Sequence, residues 1–279
     1  MVHIQKLEQK HLTEALELCR ENGWNQLHQD WLRILRYQSD GCFAAFSKGK
    51  LIGTVTSTRY GNQLAWIGMM LVHSEYRRSG IGQRLIETCL EFLEQRSIKT
   101  IRLDATPMGY PLYKKLSFQS EHKLRRWHRK SDRAFKKPGE PITGLTTPSS
   151  DQLSDTHKSL DQTAFGCDRE EWLNRVRDDS HLVCHENGFG MIRSGYLADY
   201  LGPVCATDQV TAQRLIERLV NQTERDIFWD ILAENKIAES VAQRLGFVAV
   251  RDLTRMYRGE RQSCVDPHIL YGLADPAVG

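Results

Sequence analysis

The sequence lacks any cysteine pairing pattern. Its seven cysteines are odd in number, scattered from Cys19 to Cys264, and form no CxxC pair. That argues against a disulfide framework or a redox role, and fits reduced thiols packed as small apolar side chains. Long apolar runs are missing as well. None approaches the ~20 residues needed to span a bilayer, and the opening MVHIQKLEQK has no apolar signal core. A cytoplasmic location is expected, with no membrane partner. Charge of one sign is scarce: 38 basic against 35 acidic residues leave +3, too small a surplus to point to nucleic acid. His181 and His185 fall on one face of a strand-like run. No second ligand cluster accompanies them, so no metal is expected.

What is present is enough chain for two cores, 279 residues. Near the start, Leu12, Ala15, Leu16 and Cys19 repeat at helical spacing, as do Trp31, Leu32, Leu35 and Arg36, with Gly23-Trp24-Asn25 between them. Strand-like runs follow at Cys42–Phe46 and Leu51–Thr58, joined by Lys48-Gly49-Lys50. Ala65–Val72 is the most apolar run and has strand length. After a polar stretch ending in Gly80-Ile81-Gly82, the residues Ile81, Leu85, Ile86, Cys89, Leu90 and Leu93 mark one helix face. A short strand (Thr100–Asp104), a short helix (Tyr110–Lys115) and a strand over 120–130 complete this unit. The basic run Lys123–Lys137 reads as a solvated strand edge leading into a linker.

Residues 137–150, rich in Pro, Gly, Ser and Thr, form the expected linker between a unit at 1–136 and another at 151–279. The second unit repeats the first. Gln83-Arg84-Leu85 recurs as Gln213-Arg214-Leu215, and Leu116-Ser117-Phe118 as Leu245-Gly246-Phe247. The strand–helix–strand–helix–strand order recurs around them, which predicts two tandem copies of one α/β fold.

The chemistry is expected where the apolar strand ends, at Arg77-Arg78-Ser79-Gly80-Ile81-Gly82. A glycine turn feeding a helix N-terminus is an anion site: the first N–H groups lack internal partners and the helix dipole favours negative charge. Glycine lets the backbone approach a diphosphate closely. The Walker pattern is absent, since no Lys followed by Ser or Thr comes after the glycines. The dinucleotide pattern fails too, because Leu85 stands at its third glycine.

The stretch Met69–Leu85 resembles the pyrophosphate motif of the GNAT acetyltransferase superfamily, with Arg77, Gly80 and Gly82 at its key positions. A second family segment matches Leu112–Phe118, with Ser117 replacing the usual glycine. The resemblance implies acetyl-CoA as cosubstrate and two tandem GNAT-like domains, each a mixed, largely antiparallel splayed sheet flanked by helices. It further implies that the backbone of Met70, Leu71 and Val72 pairs with the pantetheine arm. Arg77, Arg78, Ser79, Gly80, Ile81 and Gly82 would hold the pyrophosphate, with Thr106 beside the cosubstrate. Tyr113 would protonate the leaving thiolate. Asp104, at a strand end, is the candidate proton acceptor or amine binder, and Asp230 is its approximate counterpart. Trp24 and Asp230 are the candidate acceptor contacts.

The second unit departs from the motif. Aligned on the repeat, Thr207 stands for Arg77, Val210 for Gly80, Ala212 for Gly82 and Ala242 for Tyr113. It is expected to be degenerate and to help complete the acceptor pocket. Its segment Leu201–Val204, with Asn235 and Arg255–Gly259, resembles tandem bacterial GNAT proteins of the YitH type. Two functions fit: an acetyltransferase acting on a small or amino-acid-like primary amine by direct attack, or a non-catalytic acyl-CoA sensor. A peptidyl transferase using aminoacyl-tRNA is disfavoured, because it would not need the pyrophosphate loop. A monomer or homodimer is expected.

Overall fold

The computed structural model describes residues 1–131, 153–261 and 266–279. The expected linker and Cys264 lie outside them. The first half contributes strands β1 (Val2–Lys6), β2 (Phe43–Ser47), β3 (Lys50–Tyr60), β4 (Leu64–Val72), β5 (Thr100–Ala105) and β6 (Gln119–Arg129). Its helices are α1 (Leu12–Glu21), α2 (His28–Gln38), α3 (Ile81–Glu94) and α4 (Tyr110–Lys115). The second half contributes α5 (Asp155–Phe165), α6 (Glu170–Arg177), β7 (Ser180–His185), β8 (Gly188–Arg193), β9 (Asp199–Ala206) and α7 (Gln209–Val220). Then come β10 (Ile227–Leu232), α8 (Lys236–Arg244), β11 (Val248–Gly259) and β12 (Leu270–Gly272).

The helix periodicity near Gln83 is realised in α3. Ile81, Leu85, Ile86, Cys89, Leu90 and Leu93 are all buried, and each large apolar side chain so removed from water contributes about 1.5–3 kcal/mol. Strand β1 had no strong sequence signal. It is short and mostly exposed, and it forms because its backbone pairs along β2.

The strands form one sheet, in the order β1-β2-β3-β4-β5-β11-β6-β10-β9-β8-β7, with β12 pairing β9. The halves have therefore exchanged their last long strands. β11, from the second half, lies between β5 and β6, and β6, from the first half, lies between β11 and β10. The boundaries at 136 and 151 divide the chain but not the sheet. The part of the basic run that lies in β6, Lys123 to Arg129, is correspondingly not a solvated edge, because strands on both sides pair with it.

Two buried ion pairs pin the exchange, related by the repeat. Asp104 on β5 faces Arg255 on β11, bound through both oxygens at 2.9 and 3.0 Å. Asp230 on β10 faces Arg126 on β6, at 2.9 and 2.7 Å. Neither carboxylate has any exposed side-chain surface. Two-pronged geometry is what lets such charges leave water, since each oxygen keeps a charged donor.

Apolar clusters fill both faces. One packs α3 and α4 on the first half, and its counterpart packs α7 and α8 on the second. A third joins both halves through Trp31, Trp66, Phe165 and Trp172. The last described segment closes the structure. Tyr60 Oη donates to the Val278 carbonyl at 2.7 Å and Trp66 Nε1 to that of Pro276 at 3.0 Å. Gly68 permits this approach: a Cβ there would sit 2.1 Å from the Ala277 carbonyl oxygen. No described helix is long and apolar enough to cross a membrane.

Candidate active site

Strand β4 pairs with β5 only over Leu64–Trp66. Beyond that point β4 bulges, with Met69 at φ +47° and a register shift against β3. A bulge adds a residue and re-aims the strand, so β4 and β5 splay. The cleft between them is a cavity of about 510 Å³. Ile67–Leu71 and Leu103-Asp104 line it from the two strands, and Thr106 and Tyr113 line it from the chain after β5. On its far side are Trp24, Asn25 and Gln26 from the α1–α2 loop, Arg126, Arg251 and Leu253 from the exchanged strands, and Asp275–Ala277.

At one end of the cleft lies the glycine turn. Arg77 lines the cavity and is braced by donating to the Val72 carbonyl at 3.1 Å and to Asn22 Oδ1. Arg78 and Gly80 both take left-handed φ values, +59° and +81°, which points successive N–H groups into a concavity. Gly80 is the N-cap of α3, and no side chain caps that helix. A Cβ on Gly80 would meet nothing within 4 Å, whereas one on Gly82 would touch Met70 Cε at 3.0 Å. The arrangement leaves unpaired helix amides facing open space, which suits a diphosphate. Arg78, Ser79 and Gly80 are exposed and Gly82 partly so. They lie outside the enclosed cavity, while Met70, Leu71, Arg77 and Thr106 are on its wall.

The equivalent turn of the second half is closed. Helix α7 begins at Gln209 and is capped by Asp208, whose carboxylate accepts from Thr211 N at 2.8 Å and Thr211 Oγ1 at 2.8 Å. The backbone amide of Thr211 is the main cause that holds the Asp208 carboxyl below its ordinary range. A carboxylate thus occupies the position that the first half leaves open. Val210 lies inside the helix rather than at the cap: α7 starts earlier in its repeat than α3 does, while the buried faces keep the alignment, Leu215 and Ile216 standing for Leu85 and Ile86.

Tyr113 sits on α4 with its ring near Phe118 and is largely buried. A Cβ on Gly109 would lie 2.9 Å from its ring, so that glycine makes room for it. Burial pushes the Tyr113 phenol well above its usual range, so it carries its proton at neutral pH. Thr106 Oγ1 accepts from Gly109 N at 3.2 Å, shaping the turn into α4.

Asp104 lies along the cavity wall, but its carboxylate has no exposed surface and both its oxygens are held by Arg255. Burial raises its pKa and the Arg255 charge opposes that rise. Asp230 is not on the wall. It lies behind Arg126 and also accepts from Tyr200 Oη at 2.7 Å, so its role as an acceptor contact is withdrawn for want of access. Trp24 does line the cavity. Its neighbour Asn25 ties the loop to the second half, donating to the Ala198 carbonyl at 2.9 Å and accepting from Leu197 N and Ala198 N.

Asp275, Arg126 and Arg251 were not singled out from the sequence. Residues beyond Met256 carry no periodic pattern, and the two arginines gain a wall position only through the strand exchange. Asp275 accepts from Arg193 at 2.8 Å and from Ala277 N at 2.8 Å, and burial raises its pKa.

Comparisons with known proteins agree with this geometry. Residues 7–118 match the acetyltransferase (GNAT) family model, and residues 158–272 match an acetyltransferase (GNAT) domain model. The chain is 25% identical to YitH, an uncharacterized N-acetyltransferase of Bacillus subtilis (strain 168), over 98% of this chain and 97% of that protein. A crystal structure described as that of an acetyltransferase from Pyrococcus horikoshii superposes with a TM-score of 0.86 at 27% identity, covering 100% of this chain and 96% of that one. A tandem GNAT protein from the clavulanic acid biosynthesis pathway shares the fold, at a TM-score of 0.67 and 14% identity, over 92% and 98% of the two chains. With both halves matched and the tandem fold in place, the chain belongs to the GNAT family of acyl-CoA-dependent acetyltransferases, as two such domains in tandem.

Proposed function

We propose that this protein transfers an acetyl group from acetyl-CoA to the primary amine of a small molecule, at one site, in the first half. The carrying observation is the uncapped N-terminus of α3, with Gly80 at φ +81°, beside a cleft whose wall includes Tyr113. The amides from Arg78 to Gly82 hold the pyrophosphate. The edge of β4 from Met70 to Val72, which has left β5, offers its backbone to the pantetheine arm as to an added strand. The thioester then lies in the cleft near Tyr113.

The amine attacks the thioester carbonyl directly in a ternary complex. No cysteine lies on the cavity wall. Burial also pushes the thiols of Cys19 and Cys89 up to about 12, which leaves almost no thiolate at neutral pH. Both facts favour direct attack over a thiol-borne intermediate. As the C–S bond breaks, Tyr113 donates its phenolic proton to the sulfur. Asp104 acts as a fixed charge bound to Arg255, not as a free base, and the proton of the amine leaves through water in the cleft. The second half supplies the acceptor wall and no second cosubstrate site, because Asp208 fills its anion position.

Calorimetry with CoA, combined with turnover of Tyr113→Phe, tests this. One CoA bound per chain is expected, with binding kept in the variant and kcat lower by roughly a hundredfold or more. Failure to bind CoA would refute the proposal.

A further inference from the structure

The two halves of the cavity differ in how their charges are matched. Asp104 is answered by Arg255, Asp275 by Arg193, and Arg126 by Asp230. Arg77 stands at the diphosphate end. Arg251 remains, on the acceptor side, without a hydrogen-bond or ion-pair partner among the described residues.

Its setting sharpens the point. On β11 and β6, Arg251 stands directly opposite Arg126, and the next pair along is Asp252 opposite Arg125. Side chains alternate faces along a strand. On the face away from the cavity the pair is complementary, with Arg125 Nε donating to Asp252 Oδ1 at 2.8 Å. On the cavity face, two guanidiniums oppose each other. Like charges directly across a sheet are unfavourable. Arg251 is exposed at the cavity mouth; partial desolvation and then the Arg126 charge lower its pKa, and Asp230 opposes them. The strand is irregular at this place, with a register shift between Ala249 and Arg251.

We infer that the acceptor amine carries a carboxylate, which Arg251 binds at the mouth of the cavity with Arg126 behind it. The acceptor is then an amino acid or a short peptide-like molecule rather than a simple alkylamine or polyamine. A planar guanidinium with unused donors matches a carboxylate through paired N–H groups. Trp24, Leu253 and Pro276 give its side chain an apolar surround. Anchored at Arg251, the molecule directs its amine inward, to the β4 bulge and Tyr113. This inference rests on the assignment of the cavity to acetyl transfer.

The test compares amino acids with their decarboxylated amines, such as phenylalanine with phenethylamine and lysine with cadaverine. The wild type should favour the carboxylated member of the best pair in kcat/KM. In Arg251→Gln that ratio should fall about tenfold or more, since a charge-assisted bond is worth more than one decade. Arg125→Gln, on the opposite face, should leave the ratio as it is. Arg251→Gln should melt no lower than the wild type, because it removes a repulsion; a clear loss of stability would overturn the inference. A second readout is calorimetry on the CoA-saturated protein. It should bind an N-acetyl amino acid more tightly than the matching N-alkylacetamide, and Arg251→Gln should abolish the difference. If CoA binds and no carboxylate preference appears in either assay, the inference is overturned and the acetyl-transfer assignment stands. If CoA does not bind, both fall.

Discussion

Replacing Arg255 with Met should be among the most damaging single changes in the molecule. Its partner Asp104 has no exposed side-chain surface and receives both its side-chain hydrogen bonds from that guanidinium. Removing one member of a buried pair costs about 3–5 kcal/mol, because the other charge stays behind. At about 2 °C per kcal/mol for a chain of this size, melting should fall by roughly 6–10 °C. The Arg255 guanidinium also lies 4.5 Å from the Trp66 ring centroid, a contact methionine partly keeps. The deficit should depend on pH. Burial already raises the Asp104 pKa against the pull of Arg255; without the arginine it rises further in the folded state. A carboxyl whose folded pKa exceeds its unfolded one binds its proton more tightly when folded. Its protonation stabilises the fold as pH falls, and the benefit disappears as pH rises through the folded value. The gap between variant and wild type, read from urea midpoints, should thus narrow from pH 8 toward pH 5. Asp104→Leu added to Arg255→Met should recover most of the loss. A single variant that loses under about 0.5 kcal/mol, with no pH dependence, would refute the view that this pair holds the exchanged strands.

Three further outcomes are expected. Gly80→Ala places a side chain at φ +81°, where an L-residue costs roughly 1–2 kcal/mol; calorimetry should show weaker CoA binding with the fold retained. Asp208→Ala should lower stability by about 1 kcal/mol through loss of the α7 cap, while the stoichiometry of CoA stays at one per chain. Burial pushes the thiols of Cys19, Cys89 and Cys167 up to about 12. Mass spectrometry after iodoacetamide at pH 8 should find them unmodified in the native protein and alkylated in urea.

Much of each half was legible locally. The apolar run of β4, the glycine turn and the α3 periodicity are all contiguous, so their physics is written in neighbouring residues. The partners across the sheet were not legible. Asp104 and Asp230 were correctly matched as counterparts, yet nothing near them in sequence announces Arg255 or Arg126, which arrive on strands from the opposite half. The same distance hid the far wall of the cleft. Arg126 sits in a basic run that looked solvated, and Asp275 in a stretch without periodicity. The Asp208 cap of α7 was not legible from the repeat, because the first half has no aspartate at the equivalent turn.

Because Gly68 admits Ala277 against β4, the order of synthesis and the order of assembly diverge. A ribosome that has finished β6 has made the whole glycine turn ahead of α3, yet a nascent chain at that stage lacks the Asp275–Ala277 wall of the cleft. Acetyl transfer should therefore begin only after residues 275–277 have emerged and threaded home, so that partly made chains do not acetylate amines.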